Sequence, residues 1–226
     1  MRSTLILTGT LFAFSLAFAA PAPDAKFDVV ELKDKYNHKL SERFHNTEGD
    51  DNVLPIDKGK KKLGDVEFKI ADGVIQLGST MVPDDPEKVE GIKVGQKFVK
   101  LHILHACGYG GGTNVEGTPG HVPDDTTIGE YKVLYDDKTT ATIPIVYGQD
   151  VRDWWYLEGE KETSRAKVVW KGENEQAKKL KCGVRLYMTT WKNPKPDKKV
   201  VSINYIGRKN DTPAAPFCVA ITVENE

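Results

Sequence analysis

The chain has 226 residues, 39% hydrophobic and 29% charged, a balance that excludes a disordered chain and a chain embedded wholly in a membrane. Its 32 Lys and Arg against 33 Asp and Glu leave a formal charge of −1, so bulk electrostatics give no argument for nucleic acid or anionic lipid as a partner. Twelve Pro, 20 Gly, eight Tyr, eight Phe and four Trp favour short strands joined by turns.

Residues 1 to 20 carry one early charge, Arg2, then the apolar runs Leu5-Ile6-Leu7, Leu11-Phe12-Ala13-Phe14 and Leu16-Ala17-Phe18, and close on Ala17-Phe18-Ala19. A short apolar core ending in a small-x-small site predicts a secretory signal peptide over 1–19. A membrane anchor fits less well, because the run is short, holds Thr8, Gly9 and Thr10, and leads into Pro21 and Pro23. The mature chain is therefore expected in the periplasm or outside the cell, with no stable membrane insertion after cleavage. A linker over 20–26 precedes a single domain over 27–226, long enough to bury roughly 70% of its unfolded surface.

Phe27-Asp28-Val29-Val30-Glu31-Leu32 has strand character, and Lys33 to Asn52 reads as a long loop or a short helix. Strands are predicted at 65–71, 73–78, 89–94, 97–106, 129–136, 138–146, 166–171, 183–191, 199–207 and 217–224. About ten short strands in one domain predict an all-β, antiparallel β-sandwich or barrel. The clearest local signal is Tyr131-Lys132-Val133-Leu134-Tyr135 and Ala141-Thr142-Ile143-Pro144-Ile145 around an Asp-rich turn, a β-hairpin. Pro144 lacks a ladder donor and belongs at an edge or a bulge. The Gly-rich loop from Gly108 to Ile128 is long enough to suggest a functional role.

His102-Ile103-Leu104-His105-Ala106-Cys107 offers metal-ligand types, but alternation along a strand turns His102 away from His105 and Cys107, so a shared metal is not expected. The glycines at 108 and 110–112 lack the Lys-Ser/Thr ending and the following helix of a phosphate loop. No Gly-x-Ser-x-Gly elbow is present. Asp50-Asp51, Asp84-Asp85, Asp124-Asp125 and Asp136-Asp137 read as turn residues; they leave open a structural Ca²⁺, the one cofactor the sequence suggests. Cys107, Cys182 and Cys218 allow at most one disulfide, with Cys107 and Cys182 as the pair to test and Cys218 in an apolar run.

The segment Tyr147-Gly148-Gln149-Asp150-Val151-Arg152-Asp153-Trp154-Trp155-Tyr156 carries the strongest binding chemistry. Flat aromatic faces beside Asp, Arg and Gln are what sugar recognition uses, with the ring stacking on C–H faces and the polar groups reading hydroxyls. Trp154 and Trp155 are thus the candidate stacking platforms and Asp150, Arg152 and Asp153 the hydroxyl partners. Tyr109 and Asn114 on the long loop, with Trp191 and Asn193 near a strand end, are secondary candidates. The competing reading has the Trp pair sealing the sandwich edge.

The order of several pieces resembles exported bacterial domains of the galactose-binding-like (jelly-roll) superfamily, similar to NPCBM and carbohydrate-binding-module-like domains. The resemblance runs through Asp65-Val66-Glu67-Phe68, Gly73-Val74-Ile75-Gln76-Leu77, Gly91-Ile92-Lys93-Val94-Gly95 and Leu101-His102-Ile103-Leu104-His105-Ala106. It continues in Ile128-Gly129-Glu130-Tyr131, Asp153-Trp154-Trp155, Trp170-Lys171-Gly172-Glu173-Asn174, Trp191-Lys192-Asn193-Pro194-Lys195-Pro196, Val201-Ser202-Ile203 and Ala220-Ile221-Thr222. It covers roughly 50–226 and departs from the family at Cys107 and at Asp136-Asp137. It implies a jelly-roll fold and a binding role, without a residue-level site to carry over. The expected function is a non-catalytic module for a glycan or another envelope component. The alternatives are a glycoside hydrolase or lyase, and a protein-interaction module of the cell envelope.

Overall fold

In the computed structural model, residues 26–43, 52–111 and 121–225 are described. Thirteen strands account for about half of them: β1 (Lys26–Val30), β2 (Gly59–Leu63), β3 (Val66–Ile70), β4 (Ile75–Gln76), β5 (Lys88–Gln96), β6 (Lys100–Gly108), β7 (Thr127–Tyr135), β8 (Thr140–Val146), β9 (Trp155–Tyr156), β10 (Lys167–Gly172), β11 (Gly183–Lys192), β12 (Val200–Gly207) and β13 (Ala215–Asn225). A 3₁₀ turn at Lys33–Lys35 and one short helix, α1 (Glu175–Lys179), complete the elements. The larger sheet runs β1-β13-β6-β11-β10, with β4 beside β13 and β9 beside β11; a second sheet runs β5-β12-β7-β8, and β2 pairs with β3 alone. All these strand pairs are antiparallel, and the chain is an all-β sandwich.

Burial follows from the layers. Strand β7 alternates, burying Tyr131, Val133 and Tyr135, as a sheet with one solvated face requires. Strands β6 and β13 are buried almost throughout, because their sheet is covered on both faces. One covering layer is the other sheet: Tyr131 stacks on Tyr205 with centroids 4.5 Å apart, and its hydroxyl lies 3.5 Å from His105 Nδ1. On the β3 side, Val66, Phe68 and Ile70 turn inward in alternation, and the Thr222 hydroxyl donates to the Glu67 carbonyl at 2.9 Å. Trp154 packs edge-on against Phe217 of β13.

The expected hairpin is β7 with β8, Tyr131 opposite Ile143 and Val133 opposite Ala141. Pro144 lies on β8, the last strand of its sheet, where its missing donor costs no ladder bond. The strand expected at 73–78 shrinks to β4 because the Asn37 side chain takes the place of a neighbour. It accepts from Gln76 N–H at 2.8 Å and donates to the Gln76 carbonyl at 2.9 Å. The strand expected from 97 starts at Lys100 because Asn193 holds the residues before it. Its side-chain amide donates to the Phe98 carbonyl and its backbone N–H to the Val99 carbonyl, both at 2.9 Å. Strands β2 and β9 and helix α1 were not expected. The helix opens at Asn174, whose side chain accepts from Ala177 N–H at 2.7 Å, an N-cap bond.

Candidate functional site

The segment between β8 and β10 winds over one end of the larger sheet, and most of its polar groups are consumed there. Asp150, 1% exposed, accepts from Val146 N–H at 2.8 Å and from Arg165 Nε at 2.6 Å, with Arg165 Nη2 on its second oxygen. Arg152, also 1% exposed, donates to Asp124 at 2.9 Å and lies over the Tyr147 ring. Burial, then the Gly110 and Trp155 N–H donors, sets Asp153: desolvation raises its pKa to about 6 against the opposing pull of those bonds at 2.8 and 2.9 Å. Trp154 is 2% exposed. Trp155 is half-buried and its indole N–H donates to Asn52 at 3.2 Å.

Two of the secondary candidates, Trp191 and Asn193, lie elsewhere. Trp191 packs edge-on against Phe98, and Asn193 accepts from the Tyr135 hydroxyl at 2.6 Å, tying the two sheets together. Tyr109 is half-buried with φ at 55°, and Asn114 lies outside the described residues. Among the expected residues, Asp150, Arg152, Asp153, Trp154 and Trp155 come together, Tyr109 lies between Cys107 and Gly110, which are hydrogen-bonded to Trp154 and Asp153, and Trp191 and Asn193 serve another part of the fold. All three cysteines are free thiols, Cys107 and Cys218 buried and Cys182 half-buried. Among the described residues no three His, Cys, Asp or Glu gather into a group able to hold a metal ion.

Beside this buried cluster lies an open cleft of about 550 Å³, where the chain after β9 faces β10 and β11. Tyr156, Trp170 and Tyr187 supply its aromatic surface, and Arg185, Lys171, Glu158, Glu160 and Glu162 its charges. The Tyr156 ring has Lys171 Nζ 4.7 Å and Arg185 Cζ 5.1 Å from its centroid, which fixes the ring by cation–π attraction. Arg185 also donates to Glu160 at 2.7 Å and to the Asp153 carbonyl at 3.1 Å, joining the cleft to the buried cluster.

Local sequence explains the aromatic wall. Strand β10 carries a β-bulge between Val168 and Trp170, the device that re-aims side chains at a sheet edge, and Val168, Val169 and Trp170 all line the cleft. Two glycines seat the rings. A Cβ at Gly172 would stand 2.6 Å from the Trp170 indole, and one at Gly183 would stand 2.6 Å from the Tyr156 ring, so each ring rests where another residue would place a side chain.

Tyr187 is 1% exposed and lines the cleft, yet its hydroxyl has no hydrogen-bond partner among the described residues. A buried hydroxyl without a partner costs free energy and calls for an explanation, a ligand being one; Arg152 Nε and the Tyr205 hydroxyl are also buried without a partner among the described residues, but neither residue lines this cleft. Of the cleft residues, Tyr156 lies in the aromatic and polar segment and Trp170 and Lys171 in a stretch that carries the resemblance, while Arg185 and Tyr187 have no signal beyond strand character. The available clue was Val168-Val169-Trp170, three apolar residues in a row that break the alternation of a half-buried strand.

Comparison with known protein families, with characterised proteins and with solved structures finds no match for this chain.

Proposed function

We propose that the protein is an exported, non-catalytic carbohydrate-binding module whose site is the cleft of Tyr156, Trp170 and Tyr187. The observation that carries this reading is the Tyr187 hydroxyl, buried and without a partner, beside two aromatic rings and the Arg185–Glu160 pair. Sugar rings offer apolar C–H faces to aromatics and hydroxyls to polar groups, and a lone Tyr hydroxyl both donates and accepts. Trp170 and Tyr156 take the stacking role here, and Trp154 holds the segment to the core. Asp150, Arg152 and Asp153 hold the backbone that carries Tyr156.

The fold we assign to this module is a jelly roll. Setting aside β2, β3, β4, β9 and β10 leaves eight strands, and these pair first with last (β1 with β13), second with seventh (β5 with β12), third with sixth (β6 with β11) and fourth with fifth (β7 with β8). That is the pairing of one long antiparallel hairpin rolled into two sheets. Export rests on the apolar run closing on Ala17-Phe18-Ala19, and the N-terminal sequence of the secreted protein tests it.

The functional test is a glycan-array screen of the full chain, followed by titration of each hit with intrinsic Trp fluorescence as the reporter, with and without Ca²⁺. A saturable change that Trp170→Ala abolishes, with the glycan recovered intact, is the expected result. Cleavage of the glycan would move the protein to the hydrolase or lyase class. The absence of any hit would favour the envelope interaction reading.

A further inference from the structure

A second cleft of about 470 Å³ adjoins the first and shares Tyr156, Glu158 and Lys171 with it. Its character is different. Beyond Tyr156 it holds no aromatic ring, and Lys171, Lys178 and Lys181 converge on it. Lys178 is engaged by Glu175 at 2.7 Å, whereas Lys171 and Lys181 have no carboxylate within salt-bridge distance among the described residues. Glu158 and Glu173 also line this cleft, both exposed.

We infer that the two clefts form one groove for an acidic glycan, with a sugar ring stacked at Trp170 and Tyr156 and the carboxylate or sulfate of a neighbouring residue held by Lys171 and Lys181. This rests on the glycan reading above and narrows its ligand. A neutral sugar has no platform at the basic end, while ammonium groups pair best with anionic oxygens. The chain as a whole carries a charge of −1, so preference for an anion has to arise from a local cluster such as this. Lys181 stands just past the end of α1. Its φ is 55°, a left-handed position that favours glycine, and its N–H closes on the Lys178 carbonyl at 3.0 Å. A long cationic side chain stands at the one point of this turn where a glycine would be the relaxed choice.

The backbone makes the test clean, because Lys181→Gly removes the charge while relieving the turn and leaves folding intact or improved. Tetragalacturonate, its carboxyl-reduced neutral counterpart and a sulfated form of that counterpart are titrated against the full chain by calorimetry. The acidic forms are expected to bind roughly tenfold more tightly than the neutral one, the worth of one charge-assisted hydrogen bond. Lys181→Gly removes most of that preference, and Lys60→Met, which deletes a positive charge on β2, leaves it unchanged. In 1 M NaCl, with a Debye length of ~3 Å, the preference shrinks in the parent protein. The better binder of the two acidic forms names the anion. Equal binding of acidic and neutral forms, unaffected by Lys181→Gly, overturns the inference and leaves the glycan reading standing. Binding of none of the three overturns both.

Discussion

Two aromatic and polar clusters lie side by side in this protein, built from the same residue types and put to opposite uses. Around Trp154, the carboxylates of Asp150 and Asp153 are met by backbone N–H groups, Asp150 also by Arg165, and the indole is shut inside against Phe217. Around Trp170, the rings sit on glycines at the edge of an open cleft, and among the described residues a buried hydroxyl has no hydrogen-bond partner and two ammonium groups have no carboxylate within salt-bridge distance. Neither cluster is fully paired, since Arg152 Nε in the first and the Tyr187 hydroxyl beside the second are both buried without a hydrogen-bond partner among the described residues, but only the second lies on an open cleft. The open cleft, with its aromatic wall and ammonium groups, rather than the composition or the unpaired hydroxyl alone, marks the candidate site.

The sharpest way to break this contrast is Trp154→Ala. Removing a fully buried indole from a packed layer is expected to destabilise by about 3–5 kcal/mol, cavity included. Urea unfolding measures it. A loss below about 1 kcal/mol would mean that Trp154 is not the anchor its burial describes, and that the two clusters differ less than their geometry says.

The next effect is smaller and depends on pH. Burial raises Asp153 to about 6 and lowers His105 to about 4, His105 lying between the sheets with Nε2 2.8 Å from the Thr189 hydroxyl. The two act with opposite sign over the same window. Asp153 binds its proton more tightly when folded, so its contribution is full below about pH 4 and is lost as pH rises through 6. His105 binds its proton less tightly when folded, so its contribution is full above pH 6.5 and is lost as pH falls toward 4. Each shift of about two units is worth on the order of 3 kcal/mol, and the two largely cancel. Burial also lowers His102, which adds to the His105 side. Stability measured from pH 4 to 6.5 is therefore expected to be nearly flat or to fall gently toward acid. Asp153→Asn should make the acid loss steep, and His105→Gln should tilt the curve the other way. A variant pair with identical pH curves would remove the contrast between the Trp154 cluster and the inter-sheet core.

Much of the fold was legible because strands announce themselves by period. The alternation of Tyr131, Val133 and Tyr135 named a face, the Asp136-Asp137 turn named a hairpin, and Pro144 named an edge, each through a rule that acts within a few residues. Helix α1 escaped because five residues are too few to show a 3.6 period, and only the Asn174 cap signals it. The site was less legible for a deeper reason. Trp154 and Trp155 alternate in direction whatever the fold, but which of them turns inward depends on Phe217, more than sixty residues away. Tyr187 reads in sequence as a strand residue like any other, and the missing partner of its hydroxyl exists only in three dimensions. The stretch Trp170-Lys171-Gly172 passes through the candidate cleft, yet its aromatic density is lower than that of Trp154-Trp155-Tyr156.

The smallest expected change in stability sharpens the comparison most. Tyr187→Phe deletes one oxygen and leaves the ring beneath Arg185, whose guanidinium carbon lies 5.3 Å from its centroid. Had the hydroxyl been paired inside the protein, its removal would cost about 1 kcal/mol or more, as a lost buried hydrogen bond does. Because it is unpaired, removal also ends a desolvation penalty, so the variant is expected to match the parent or exceed it by up to about 1 kcal/mol in urea unfolding. Its glycan affinity should fall in the same experiment, roughly tenfold if the hydroxyl is the group that reads the sugar. Unchanged stability with lost affinity separates a group held for a ligand from one held for the fold. A variant that unfolds more easily and binds as before would assign Tyr187 to the core, and the cleft would lose the observation that carries its assignment.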